Sequence, residues 1–327
     1  MTCEHRIFGI APFNELFYQS CFYNCYFAAV RSFNKELYPY LLNDIYSYQT
    51  DDDGYLSVRC TSVHDPEKLM NLQGISAEKQ PVSEDIIEDI KKDIDRQKPI
   101  IIWLDTFSQP YRPEYMTKHY RNCLLVFGYD ETDRTAAVLE NRHFDNLSYE
   151  VKHISFHHLT RAYKGFYRFF TPPQSFHSYA SFSYEAERDR TGSCMFTDAD
   201  SYFALHVNQH RDELFSGLES SRNFTEQFSS LGDTEKMLQA FNRIIHAKRV
   251  EQYRLSYLSM RADFADLLAD IIEEWETARH QTAKLFFSGQ SDPEYQSRII
   301  QSLKRITELE TVHCERLADY CAKERIR

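Results

Sequence analysis

Apolar positions along this chain follow two regimes. Up to residue 170 they come as short runs cut by Gly, Pro and Asp turns, and beyond 198 they recur at helical spacing. The first run, Gln19-Ser-Cys-Phe-Tyr-Asn-Cys-Tyr-Phe-Ala-Ala-Val-Arg-Ser-Phe33, predicts a helix behind an irregular, Pro-containing segment, Ile10 to Asn14. Leu37 to Tyr48 continues apolar and aromatic, and Asp51 to Gly54 is a charged turn before a short strand, Tyr55 to Cys60. Asp65-Pro66 is a helix start with Asp at the N-cap and Pro at the first helical position, and that helix stops near Gly74.

Ser83 opens a second amphipathic stretch in which Ile86, Ile87, Ile90 and Ile94 form one stripe, broken at Gln97-Lys-Pro99. Ile100 to Leu104 then reads as a buried strand ending in Asp105, and Cys123 to Phe127 as another. A turn at Gly128 to Asp133 leads to a returning strand, Thr135 to Leu139, followed by Glu140. A strand from Tyr149 to Phe156 precedes a short helix around His158 to Tyr163. Helix first and strands later is an α+β plan.

Residues 171–197 mix Pro, Ser, Gly and charges and read as a linker or crossover. After it, 198–327 is helical in pattern. Met260, Phe264, Leu267, Leu268, Ile271 and Trp275 line one long helix, and Ile299, Leu303, Ile306, Leu309, Val312, Leu317 and Tyr320 the last. Long helices joined by short turns predict an antiparallel bundle whose stripes form its own core. The expected division is therefore an α+β domain at 1–170, the connector, and an all-α domain at 198–327.

Charge and composition narrow the function. A net charge of -11 leaves no basic stripe to neutralise phosphates, which argues against a nucleic-acid partner. Eight cysteines are scattered without a Cys-x-x-Cys pair, and the opening residues contain no apolar signal run. The expectation is a cytoplasmic protein with free thiols, no membrane span and no bound metal or cofactor. The aromatic share, 15%, suits bulky cores and also an aryl or long acyl ligand.

The chemistry centres on Cys21 and Cys25. A helix N-terminus favours thiolate over thiol, and Cys21 lies at the expected start of the first helix with Cys25 one turn on. The same pattern suits two small buried side chains. A Cys at a helix start, a His in the loop entering an apolar strand (His119) and a polar residue ending the next strand (Glu140) resemble, in chain order, the papain-like cysteine enzymes. More closely, Cys21 to Tyr48 with Lys98 to Phe166 resembles the N-terminal domain family of the butirosin-biosynthesis acyltransferase. Cys21-Phe-Tyr-Asn-Cys25, Lys98-Pro-Ile-Ile-Ile-Trp-Leu-Asp105 and Leu124-Leu-Val-Phe-Gly-Tyr-Asp130 carry the resemblance.

That resemblance implies a papain-like domain ahead of the helical bundle. It also implies an acyltransferase of natural-product or antibiotic biosynthesis. The Cys would take an acyl group from a carrier-protein or small-molecule pantetheine thioester, and an amine would resolve it to an amide. By the distance to Asn34 the nucleophile is Cys21, while Gln19 stands ahead of Cys25 as an oxyanion glutamine does in papain-like enzymes.

Asn122 occupies the place where the family's catalytic His is expected, and an amide cannot take a proton at neutral pH. Either His119 or His143 supplies the base, with Glu140 or Asn141 as third member, or activity is lost. The alternatives are a degenerate binding or scaffold subunit and a hydrolase or peptide cyclase. The helical domain is free to cap the cleft, form a homodimer, or dock a carrier protein through Lys304, Arg305, Arg316, Lys323, Arg325 and Arg327.

Overall fold

The structure, a computed structural model, describes residues 4–141, 147–190, 198–288 and 293–324. In chain order the elements are β1 (Glu4–Arg6), α1 (Cys21–Ser32), α2 (Tyr38–Leu41), β2 (Asp44–Thr50), β3 (Leu56–Ser62), α3 (Pro66–Leu72) and β4 (Gln73–Gln80). There follow α4 (Ile86–Asp95), β5 (Ile100–Asp105), β6 (Arg121–Asp130), β7 (Thr135–Asn141), β8 (Tyr149–Ser155), α5 (Phe156–Phe170) and β9 (Tyr179–Asp189). The rest is helical: α6 (Ala199–Gln209), α7 (Arg211–Gln227), α8 (Thr234–Arg254), α9 (Arg261–Ser288) and α10 (Pro293–Glu324). The chain is α+β, with a sheet region and a C-terminal helical part. Two compact units are present, Met1–Leu37 with Met70–Arg190, and Tyr38–Leu69 with Thr191–Arg327.

The first unit is built on an antiparallel sheet in the order β4-β9-β5-β6-β7-β8, with β1 added on the Gly128–Asp130 end of β6. Strand β6 is buried without a break from Asn122 to Tyr129, because α1 and α4 both pack against it. That is why it reads as a continuous apolar run. A Cβ on Gly128 would stand 2.9 Å from the His5 carbonyl oxygen, so glycine is what lets β1 come this close.

Strand β4 fills the stretch between Gly74 and Ser83 to which the sequence pattern assigns no element, and β9 lies in the segment it reads as a linker or crossover. They pair with each other from Gln73/Asp189 to Gln80/Tyr179, and β9 also pairs with β5. Their mixed polar side chains hide them, since the backbone ladder, not an apolar face, holds most of their length. Helix α4 begins at Ile86 rather than Ser83. Asp85 is the residue whose side chain accepts from the Glu88 N–H, while Ser83 Oγ donates to Asp89 at 2.6 Å. Helix α5 runs on to Phe170, well past Tyr163, and ends at Thr171 in the left-handed region.

In the second unit the β2–β3 hairpin packs with α7, and α9 packs with both α8 and α10. Phe264, Leu268, Ile271 and Trp275 are buried as their spacing predicts, but Val312 is exposed and His313 and Cys314 are buried in its place. The core also contains charge. Lys248 Nζ lies 2.8 Å from Glu310 and 2.7 Å from Glu251, and Tyr48 Oη donates to Glu310 at 2.5 Å. Trp275 Nε1 in turn donates to Tyr48 at 3.2 Å. Among the described residues no helix is long and apolar enough to cross a membrane.

Candidate active site

Helix α1 opens at Cys21 behind Ser20, whose backbone is extended and whose side chain makes no capping bond. No acidic residue stands in the first turn. The helix start thus has no side-chain cap, and within it the Tyr23 N–H turns back to the Ser20 carbonyl at 3.1 Å. Asn24, buried in the first turn, fixes how the chain arrives: its amide donates to the Leu16 and Phe13 carbonyls at 2.8 and 3.3 Å and accepts from Tyr18 N–H at 3.3 Å. Gln19 makes the reversal between this segment and the helix with φ of 50°.

Three cysteines belong to the packed pair α1 and β6. Cys21 is partly exposed, whereas Cys25 and Cys123 are buried. Cys123 lies on β6, the strand against which α1 packs. The Cys123 thiol is the largest influence that draws the Cys21 thiol below its usual value. Burial opposes it, and the backbone N–H groups of Cys123 and Phe22 add to the lowering. Burial pushes the Cys25 thiol up, and burial with the two neighbouring thiols pushes Cys123 far up. Of the three, Cys21 alone is partly exposed and has its thiol drawn below the usual range.

Glu140, at the end of β7, is fully buried. Asn122 Nδ2 donates to one of its oxygens at 2.8 Å. Gln109 Nε2 donates to the other at 2.6 Å, as does the Tyr111 hydroxyl. Burial raises its carboxyl to about 7, against the Arg112 charge and those three donors. The Arg112 guanidinium is itself held on the Asn141 carbonyl at 2.6 Å and the Asn141 side chain at 3.1 Å. Glu140 acts electrostatically on Cys21, opposing its ionisation.

His119 has other partners. Its Nδ1 lies 2.6 Å from Asp105 Oδ2, and its ring is stacked between Phe107 (4.3 Å) and Phe169 (3.6 Å). Among its described contacts none is with Cys21. His143, the other base considered, lies outside the described residues. The structure thus groups Cys21, Cys25 and Glu140, with Asn122 on Glu140, and gives His119 a carboxylate partner of its own. Sequence reasoning missed Cys123, Gln109, Tyr111 and Arg112. Cys123 was legible as a buried strand residue, but only the packing of α1 on β6 makes it a neighbour of Cys21. Among the described residues no group of three or more His, Cys, Asp or Glu is arranged to hold a metal ion.

Residues 54–141 match the family model described as butirosin biosynthesis protein H, N-terminal. The chain resembles that family. The matched segment holds Asn122, Cys123 and Glu140 but begins after Cys21 and Cys25. No curated protein matches the chain.

Proposed function

We propose that this protein is a cysteine-dependent acyltransferase of natural-product biosynthesis, built on a papain-like unit, with Cys21 as nucleophile. The observation that carries the reading is the contrast among the three thiols: Cys21, at an uncapped helix start, is drawn toward thiolate while the other two are held as thiols. The family resemblance supplies the pathway class.

In the first step the Cys21 thiolate attacks a pantetheine thioester carbonyl, the new C–S bond forms, and the pantetheine C–S bond breaks. The departing thiolate takes a proton. Exchange of one thioester for another is nearly balanced in energy, so it places little demand on a base. Tyr149, buried and with its hydroxyl unpartnered among the described residues, is electrostatically coupled to the thiols and would donate to the oxyanion.

In the second step an amine attacks the acyl-enzyme. An amide forms, Cys21 leaves as thiolate, and the ammonium proton must go to a base. Glu140, titrating near 7, has the proton affinity for this role in place of the missing imidazole. The donor is an acyl carrier protein or a small acyl-pantetheine, with no bound cofactor required. Acyl-enzyme prepared with acyl-pantetheine, freed of donor and mixed with a panel of primary amines, tests the transfer: the reading expects amide, and free acid alone would make the protein a hydrolase.

A second reading rests on Asn122. Its 2.8 Å bond to Glu140 occupies the position of a base with a group that cannot be one, as in a degenerate subunit that binds a carrier or partner without turnover.

A further inference from the structure

Helix α5 has two unlike faces. Phe156, Leu159, Tyr163 and Phe166 are buried, whereas His157, Arg161, Lys164 and Arg168, recurring at helical spacing, are exposed. No Asp or Glu occurs in this helix, in a chain with 49 acidic residues among 327. A solvated helix face ordinarily mixes both signs. Helix α10 does so: Arg305 meets Glu308 at 3.2 Å, and Arg298 pairs with Glu294. On α5, Arg161, Lys164 and Arg168 have no carboxylate partner among the described residues, and the Arg168 guanidinium lies 5.4 Å over the Phe169 ring instead.

This stripe ends at exposed apolar surface. Phe169 is 46% exposed and stacks on His119; Met116 is 53% exposed and donates its N–H to the carbonyl of Phe107, on the other side of that imidazole. Helix α5 also packs on the Thr106–Ser108 turn, and the next residue, Gln109, donates to Glu140 at 2.6 Å. We propose that the exposed face of α5 is the docking surface for the acidic helix of an acyl carrier protein. Arg161, Lys164 and Arg168 meet its carboxylates, and Phe169 and Met116 its apolar side chains. The acidic, helical character of the partner is read from α5 itself; naming a carrier as its source rests on the acyltransferase reading.

From His157 to Arg168 the stripe spans about 16 Å, three turns of helix. One short acidic helix covers no more than that. A nucleic acid or an anionic membrane would reach past the stripe and meet a protein of net charge -11, at separations inside the screening length of about 8–10 Å.

The test follows the fluorescence anisotropy of a labelled, acidic holo-acyl carrier protein titrated with the full-length protein at low and high ionic strength. The parent is expected to bind, more weakly as salt rises. The triple variant Arg161→Glu, Lys164→Glu, Arg168→Glu, shown folded by circular dichroism, should bind about tenfold more weakly or worse. Lys304→Glu with Arg316→Glu on α10 should bind as the parent does. A measurement free of variants is carbodiimide cross-linking of the parent to the carrier, with an amide expected between Lys164 and a carrier carboxylate. No binding by the parent at low salt, equal binding by the folded triple variant, or cross-links confined to other lysines overturns the proposal. So does α5-dependent binding of phosphatidylserine vesicles in place of the carrier. Carrier binding through α5 with no acyl group gained by Cys21 supports this surface and removes the acyltransferase reading.

Discussion

Asn122 Nδ2 donates to Glu140 Oε1 across 2.8 Å, so a neutral amide holds this buried carboxyl group in place. On the proposed acyltransferase reading, replacing Asn122 by His would supply a base with its orienting carboxyl group already present. For Asn122→His we expect faster amide formation from the acyl-enzyme, by about a hundredfold or more. Single-turnover decay of the acyl-enzyme with a saturating amine measures it. A rate equal to the parent's would show that position 122 is not where the base is missing.

Burial raises the Glu140 carboxyl from 4.5 to about 7, which makes stability depend on pH. Between those values the folded state keeps a proton that the unfolded chain has released. Stability therefore falls as pH rises through the window, by about 3 kcal/mol at most. Urea unfolding of the parent and Glu140→Gln at pH 4.5 and pH 8 should show a larger fall for the parent. Equal pH dependence would mean that Glu140 titrates in the ordinary carboxylate range.

Lys248 is enclosed by Glu251 and Glu310 in the helical unit, with all three buried. Lys248→Met leaves two carboxylates without their shared cation and should cost about 3–5 kcal/mol by urea unfolding. A loss under about 1 kcal/mol would indicate that water reaches the site and screens the charges.

Gly74 carries a φ of 72° at the start of β4, and a Cβ there would stand 2.6 Å from the Glu185 carbonyl oxygen. Gly74→Ala should destabilise the protein by roughly 1–3 kcal/mol. An unchanged melting temperature would argue that the β4–β9 edge rearranges freely.

The sequence pattern revealed those elements whose stability comes from an apolar face or a local cap. Strands β5, β6 and β7, helix α3 with Asp65 ahead of Pro66, and the stripe through Phe264 and Trp275 all belong to this class. What it concealed is held by groups far apart in the chain. The ladder of β4 with β9 joins residues 99 to 116 positions apart, and the Lys248–Glu310 pair puts charges where periodicity expects apolar side chains. Within the site, Cys21 and Glu140 could be singled out from helix-start and strand-end positions. Cys123, Tyr111 and Gln109 could not, because their roles arise from packing between α1 and β6 and from an irregular loop folding onto β7. His119 shows the reverse case, a suggestive loop histidine that the fold gives to Asp105.

The most direct measurement is the intact mass of the protein after mixing with a short acyl-pantetheine thioester, beside Cys21→Ala and Cys25→Ala. The acyltransferase account predicts one acyl group on the parent and on Cys25→Ala, and none on Cys21→Ala. A folded parent that gains no acyl mass from several chain lengths, or that loses the label with Cys25→Ala instead, would contradict Cys21 as the nucleophile.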